Sequence, residues 1–393
     1  MTEAVILHGA RTPMARYMGS FDTTSAIELG AAAGRAAIQR SGADPAEFDH
    51  VVFGNVMQTS ADALYGARHV GLKAGLPIET PAVTVNRLCG SGMESISQAA
   101  QRILLGESKL ILAGGMENMS QCPHVIRGAR AGFKLGEGKL EDSLMSGLHD
   151  TYCGFSMSET AENLAAEQGI TRRASDEYAL RSQLAAEAAV RAGRMKDEIV
   201  PVAVTKGKKA ISVTEDDHRR PDTTIEILES LKPAFRKDGL VTAGNASGIV
   251  DGAAAVVMTH AKVAKEHGWK PIGRIVSWAT VGVPPRTMGI GPAPAIQKAL
   301  ALAGLRLDQI DLIEVNEAFA AQYLAVEKVL GLNREKTNVN GGAIALGHPL
   351  AASGTRLILT LLLELRRRNA RYGVASACIG GGQGIAVIVE ALS

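Results

Sequence analysis

Two stretches of this chain repeat one pattern. "VTVNRLCGSGMESISQAAQRILLGESKLILAGG", beginning at Val83, and "TNVNGGAIALGHPLAASGTRLILTLLLELRRRNARYGVASACIGGG", beginning at Thr337, each read as strand, turn, Ser-Gly, helix, strand, glycines. A repeated supersecondary unit restricts the fold strongly, because both copies must bury equivalent faces. The pairing places two helix starts, at Ser91 and Ser353, in corresponding positions.

The flanking sequence continues the alternation. "EAVILHGART", "DHVVFGNVM" and "PAVTVN" read as strands, and "TSAIELGAAAGRAAIQRSG" as a helix ending at Gly42. After residue 248 the pattern returns with "AAAVVMTH", "GRIVSWATVG", "APAIQKALALAG", "IDLIEVNEAFA" and "GIAVIVEAL". Strands alternating with helices predict an α/β fold with a mainly parallel sheet. Residues 120–248 are more charged and lack such strands, although "SDEYALRSQLAAEAAVRAG" has clear helical period. The expected division is an N-terminal α/β unit (1–119 with 249–271), an inserted loop domain (120–248) and a C-terminal α/β unit (272–393).

Charge excludes some functions. Lys and Arg number 42 against 40 Asp and Glu, a net charge of +2, and the basic residues are scattered. That gives no electrostatic footprint for nucleic acid. The densest basic run, "KGKK" at Lys206–Lys209, reads as a solvated hairpin turn. No apolar run approaches the ~18 residues that span a bilayer, and "MTEAVILHGARTP" lacks a basic leader region. A soluble cytoplasmic protein, without membrane partners, is the expectation. The four cysteines, Cys89, Cys122, Cys153 and Cys378, show no C-x-x-C spacing. Each is therefore a small buried hydrophobe or a reactive thiol.

Four glycine-marked turns carry the chemistry. Ligands of α/β sheets bind where strands end and helices begin. Cys89 precedes Gly-Ser-Gly at a predicted helix start, where backbone N–H groups would lower a thiol pKa. In "GGAIALGHPLAASG", His348 sits between glycine and proline, so a rigid loop is expected to hold the imidazole outward as a base. Cys378 closes a strand and faces three glycines whose N–H groups can form an oxyanion hole, or simply a tight strand-to-strand turn. In "EVNEAFA", Asn316 and Glu317 mark a strand-to-helix transition, as an oriented amide or as an ordinary helix cap. Together these suggest acyl transfer through a covalent thioester with a second acid/base.

Taken in order, "NRLCGSG", "NASGIVDGAA", "NEAFA", "GGAIALGHP" and "CIGGGQG" resemble the signature stretches of the thiolase family across essentially the whole chain. "DALYGARHVGL" and "NEAFAAQYLAVE" resemble the 3-ketoacyl-CoA thiolases of fatty-acid breakdown; the acetoacetyl-CoA thiolases share the same catalytic set. The resemblance implies duplicated α/β units layered α-β-α-β-α. It implies that Cys89 takes the acyl group, that His348 activates Cys89 and binds the thioester oxygen, and that Asn316 holds a water at that oxygen. Cys378 would be the acid/base, and the N–H groups of Cys89 and Gly380 a second oxyanion hole. By the same resemblance Ser247 meets the pantetheine of CoA. Leu148, Met157, Phe235, Met288 and Phe319 line its tunnel, and Arg220 lies near the nucleotide.

The resemblance implies acyl-CoA and CoA as substrates, no metal and no tightly bound cofactor. It also implies a homodimer or a tetramer of two dimers, with Arg127–Gly138 as a contact between dimers. Two departures stand out. Ala351 replaces a usual glycine and would cost about 1 kcal/mol if its φ were positive. Ser156 stands where acetoacetyl-CoA thiolases often carry histidine, favouring a broader acyl pocket. A ketoacyl synthase is disfavoured by Cys378, and a non-catalytic acyl-CoA carrier by the intact set of four residues.

Overall fold

The computed structural model describes residues 3–392. Apolar runs form the strands of one ten-stranded sheet. Its main members are β1 (Ala4–Arg11), β2 (His50–Gly54), β3 (Ala82–Val85), β4 (Leu110–Glu117), β5 (Val250–His260), β6 (Gly273–Gly282), β7 (Leu312–Val315), β8 (Tyr372–Ile379) and β9 (Gln383–Ala391). They lie in the order β7-β8-β9-β6-β1-β5-β4-β2-β3, with the short strand Ala15–Arg16 paired to β5. β1 meets β6 through only two residue pairs, Val5 with Arg274 and Ile6 with Gly273. The sheet is thus two half-sheets joined at a narrow seam, β1-β5-β4-β2-β3 and β6-β9-β8-β7. Their strand orders correspond, so the internal repeat is a repeat of structure. The match fails at the outer edge: where β3 flanks β2, the second copy has only an isolated bridge from Thr337 to Ile313.

The sheet is not mainly parallel, contrary to the expectation. β2 runs parallel to β3 and β4, and β7 to β8. The pairs β1–β5, β4–β5, β1–β6, β6–β9 and β8–β9 are antiparallel. Continuous apolar runs usually signal parallel strands, because antiparallel sheets commonly leave one face in water. Here both faces of each half-sheet are covered, and β5 is buried along all but its last residue.

The covering helices are α1 (Ala26–Ser41), α2 (Gly66–Ala74), α3 (Ser91–Leu105), α4 (Pro292–Ala303), α5 (Ala320–Leu330) and α6 (Leu350–Arg367). Successive strand residues point to opposite faces. Val5 and Leu7 of β1 therefore join the cluster of α1 and α2, while Ala4 and Ile6 join that of α3 and α6. The α3/α6 cluster also holds Ala375 and Ala377 of β8 and Ile385 and Val387 of β9, so these two helices lie between the half-sheets. α4 and α5 pack on the far side of the second half-sheet. The five layers are α-β-α-β-α.

Local signals set the helix ends. Ser25 caps α1 in a reciprocal capping box with Glu28, and Gly42 ends it at φ +71°. The second-copy helix starts earlier than its counterpart: Pro349 is the N-cap of α6, so Ser353 lies inside the helix and not at its start. Ala351 consequently has helical backbone, is absent from the positive-φ residues, and carries no strain.

Residues 120–248 contribute no strand to the main sheet, only an isolated bridge from Ile199 to Arg11 at the end of β1. They carry three short antiparallel ribbons, two longer helices (Met157–Gln168 and Arg172–Arg191) and two shorter ones. "KGKK" is the tip of the ribbon Val202–Lys206 with Lys209–Val213, turning at Gly207 with φ +62°. Among the described residues no helix is long and apolar enough to cross a membrane.

The middle layer depends on glycine. A Cβ on Gly354 of α6 would lie 2.5 Å from the Met93 nitrogen of α3, and one on Gly92 of α3 would lie 2.6 Å from the Ala351 oxygen of α6. A methyl group there has no room without moving backbone. Gly354→Ala is expected to destabilise the fold by about 2 kcal/mol or more, read as a lower denaturant midpoint. Gly282→Ala, where a Cβ meets nothing within 4 Å, should leave that midpoint unchanged.

Candidate active site

The turn before α3 is built to present one side chain. Asn86 Oδ1 accepts from the Leu88 N–H at 2.9 Å, and Ser91 Oγ both accepts from the Arg87 N–H at 2.8 Å and donates to the Leu88 carbonyl at 2.7 Å. These bonds hold Leu88 at φ +47°, a conformation that costs a non-glycine residue about 1–2 kcal/mol. Gly90 presses on Ile379, at the end of β8, where a Cβ would come within 2.6 Å of Cδ1. The turn therefore abuts the strand that carries Cys378. Cys89 and Cys378 line one cavity, with an empty volume of about 890 Å³ counting the part open to solvent.

His348 lines the same cavity and is 5% exposed, so its ring faces the interior and not outward as expected. Its Nδ1 lies 2.6 Å from Ser353 Oγ, and its Nε2 lies 3.3 Å from Asn316 Nδ2. Ser353 donates to the Pro349 carbonyl at 3.2 Å, which leaves its oxygen as acceptor for Nδ1–H. Nε2 then carries the lone pair and accepts from Asn316, so the base is pre-set in one tautomer. Asn316 is not a helix cap; Phe319 holds that position for α5. Its N–H donates to the Ser376 carbonyl of β8, and its Oδ1 is buried without a protein partner. Neighbouring Glu317 accepts from Tyr178, Ser182, Asn338 and the Ile344 N–H, bracing this turn against the histidine loop.

The electrostatics reverse one expectation. Cys89 is not an activated thiolate at rest. Burial pushes its thiol up to about 11 from 9.0, outweighing the N–H groups of Gly380 and of Cys89 itself, which favour the anion. At this helix start desolvation outweighs the field of the backbone N–H groups. Burial also pushes Cys378 well above the usual thiol range, with Cys89 adding to it. Burial, aided by Arg356, pushes His348 down to about 3. All three groups are neutral near pH 7: two protonated thiols and an imidazole with a free lone pair.

The structure brings most of the expected residues together. Leu148, Met157, Phe235, Ser247, Met288 and Phe319 line the cavity with Cys89, His348 and Cys378. Gly380 borders it, next to Leu88 and Met157. Arg220 does not line it: the side chain is exposed, and its N–H donates to Gln183 Oε1. The sequence reading missed Met119, Met145, Ile249 and Leu350 as cavity walls and Ser353 as the partner of His348. The Ser353–His348 spacing of five residues across a proline offered the only signal. Ser156, singled out as a departure, lines the cavity and caps the helix that follows it. Among the described residues no His/Cys/Asp/Glu group is arranged to hold a metal.

Because His348 is held neutral, the unfolded chain binds a proton that the folded chain refuses between pH 6.5 and about 3. Stability on this account is complete above pH 6.5 and falls as pH drops through that window, by about 1.4 kcal/mol per unit. His348→Asn should lose less stability than the parent chain between pH 6.5 and 4.5, measured as urea midpoints across that range.

Comparison with known proteins identifies the family. Residues 4–262 match the family description "Thiolase, N-terminal domain" and residues 269–391 match "Thiolase, C-terminal domain". Human mitochondrial 3-ketoacyl-CoA thiolase is 52% identical over 98% of this chain and 97% of its own. The acetyl-CoA acetyltransferase of Escherichia coli (strain K12) is 50% identical over the full length of both. The crystal structure of the human mitochondrial enzyme in complex with CoA superposes with a TM-score of 0.97 at 50% identity, covering 100% of this chain and 98% of that one. This chain belongs to the thiolase family.

Proposed function

We propose that the protein is an acyltransferase that cleaves 3-ketoacyl-CoA with CoA, giving acetyl-CoA and a shortened acyl-CoA, and that it runs the reverse Claisen condensation. The observation that carries this is the meeting of Cys89, Cys378 and an Asn316-bonded His348 in one apolar cavity. As the Cys89 sulfur attacks the 3-keto carbon, its proton passes to His348 Nε2. The C2–C3 bond breaks, and the Cys378 thiol protonates the departing carbon to give acetyl-CoA. The incoming CoA thiol then gives its proton to Cys378 and attacks the acyl-Cys89 thioester, and His348 returns its proton to Cys89. Each group starts and ends neutral, which suits a desolvated site. The two N–H groups aimed at the Cys89 sulfur, from Gly380 and Cys89, would serve a developing oxyanion.

The cavity walls Met119, Met145, Leu148, Ile249 and Leu350 favour an alkyl chain beyond acetoacetyl, as in breakdown of fatty acids. CoA enters as a substrate and not as a resident cofactor, with Ser247, Phe235 and residues of 120–248 along its path. We also propose a homodimer or homotetramer. Exposed Phe133, Leu135 and Leu140, near the Arg127–Gly138 segment, support a contact between copies.

Thiolysis of a chain-length series of 3-ketoacyl-CoAs, followed by loss of the 3-keto absorbance, tests the reading. Medium and long chains should turn over well; a rate confined to acetoacetyl-CoA would make the protein an acetyl-CoA acetyltransferase. Cys89→Ser should lower turnover by roughly 10⁴-fold, and a Cys89→Ser protein with full turnover would overturn the assignment of the nucleophile.

A further inference from the structure

One buried carboxylate beside this cavity has no part in the mechanism above. Glu117 is the last residue of β4 and is fully buried. Its Oε1 accepts from Asn55 Nδ2 at 3.0 Å and the Met57 N–H at 2.9 Å; its Oε2 accepts from the Val56 N–H at 3.2 Å and the Ala351 N–H at 3.1 Å. Those donors come from both halves of the molecule. Asn55, Val56 and Met57 follow β2, and Ala351 lies in the first turn of α6, three residues after His348. Val56, Met57, Leu350 and Cys89 share one apolar cluster, so the segments that Glu117 ties together are the segments packed against the nucleophile.

Among the described residues no Lys, Arg or His forms a salt bridge with Glu117. The titratable groups around it are Asp251 of β5, Cys89 on its turn and Cys122 on the loop after β4. Asp251 is held by Ser120, with Oγ at 2.5 Å and the N–H at 3.0 Å. We infer that Glu117 is the positioning residue of the nucleophile: its carboxylate clamps the two walls against Cys89, and its charge adds to the burial that holds the Cys89 thiol protonated. Burial pushes Glu117 up to about 7, with its N–H donors opposing and Asp251 adding, so its charge is gained near neutrality. That charge in turn disfavours the Cys89 thiolate.

The inference rests on Cys89 being the nucleophile, and the experiment separates the two. Alkylation of Cys89 by iodoacetamide is followed from pH 5.5 to 9.5 by peptide mass spectrometry, alongside thiolysis. In the parent protein the rate should rise with pH but bend near pH 7, where Glu117 gains its charge. Glu117→Gln removes the charge and leaves at least two N–H groups without an acceptor. Its alkylation should lose the bend and be at least ~3-fold faster at pH 8.5, while its turnover falls ~10- to 100-fold.

A merely structural role would change rates without removing the bend. An unchanged bend in Glu117→Gln overturns the inference and leaves the thiolase reading intact. Full turnover after complete alkylation of Cys89 in the parent protein overturns the reading itself. If Glu117→Gln does not fold, Asn55→Ala decides. It removes one donor to the carboxylate, so the bend should move to higher pH; a bend that stays in place overturns the inference.

Discussion

The close contact of α3 with α6 is the constraint on which the other parts depend. Both helices are sandwiched between half-sheets: α6 is buried along nearly its whole length, and α3 turns the Glu94, Gln98, Gln101 and Arg102 stripe toward water. Gly92 and Gly354 remove the side chains that would separate them, and Gly115 of β4 brings α6 down onto the sheet, where a Cβ would overlap the Ala351 carbonyl. Backbone-to-backbone approach sets the height at which each helix starts. The start of α3 fixes the Cys89 turn, and the start of α6 fixes Pro349 and the His348 loop. The spacing of Cys89 and His348 is therefore set by helix packing.

The chemistry of the cavity follows from what that packing excludes. Apolar walls raise both thiols and lower the imidazole, so charge is discouraged everywhere the reaction needs a proton to move. A proton passing between two neutral groups makes an ion pair, so in these surroundings charge appears only as the reaction itself proceeds. The N–H groups of Cys89 and Gly380 supply the one preorganised positive region, at the sulfur itself.

Features coded by short local rules were legible in the sequence. Gly42 marks a helix end through capping chemistry that needs only neighbours in the chain. Cys89, His348, Asn316 and Cys378 stood out because glycine-rich turns interrupt otherwise apolar patterning. Features that depend on distant partners were not legible. Strand direction was misread because burial on both faces hides the alternation that betrays an antiparallel strand. Glu117 looked ordinary in "GGMENMS", since its four donors come from residues 55–57 and 351. The Cys89 pKa went the wrong way because the reading weighed the helix end without the desolvation that the finished core imposes.

The mismatch at the outer edge of the two half-sheets has a further consequence. In the first copy β3 runs straight into the Cys89 turn, whereas the equivalent chain near Thr337 makes a single bridge and is then free to curl inward through residues 341–348. Two perfectly equal copies would present the same side chain twice, facing itself across the axis. The absence of that strand breaks the equality, and one copy brings Cys89 to the cavity while the other brings His348 and Cys378. The cavity is thus shared between non-equivalent halves, and neither half taken alone encloses it.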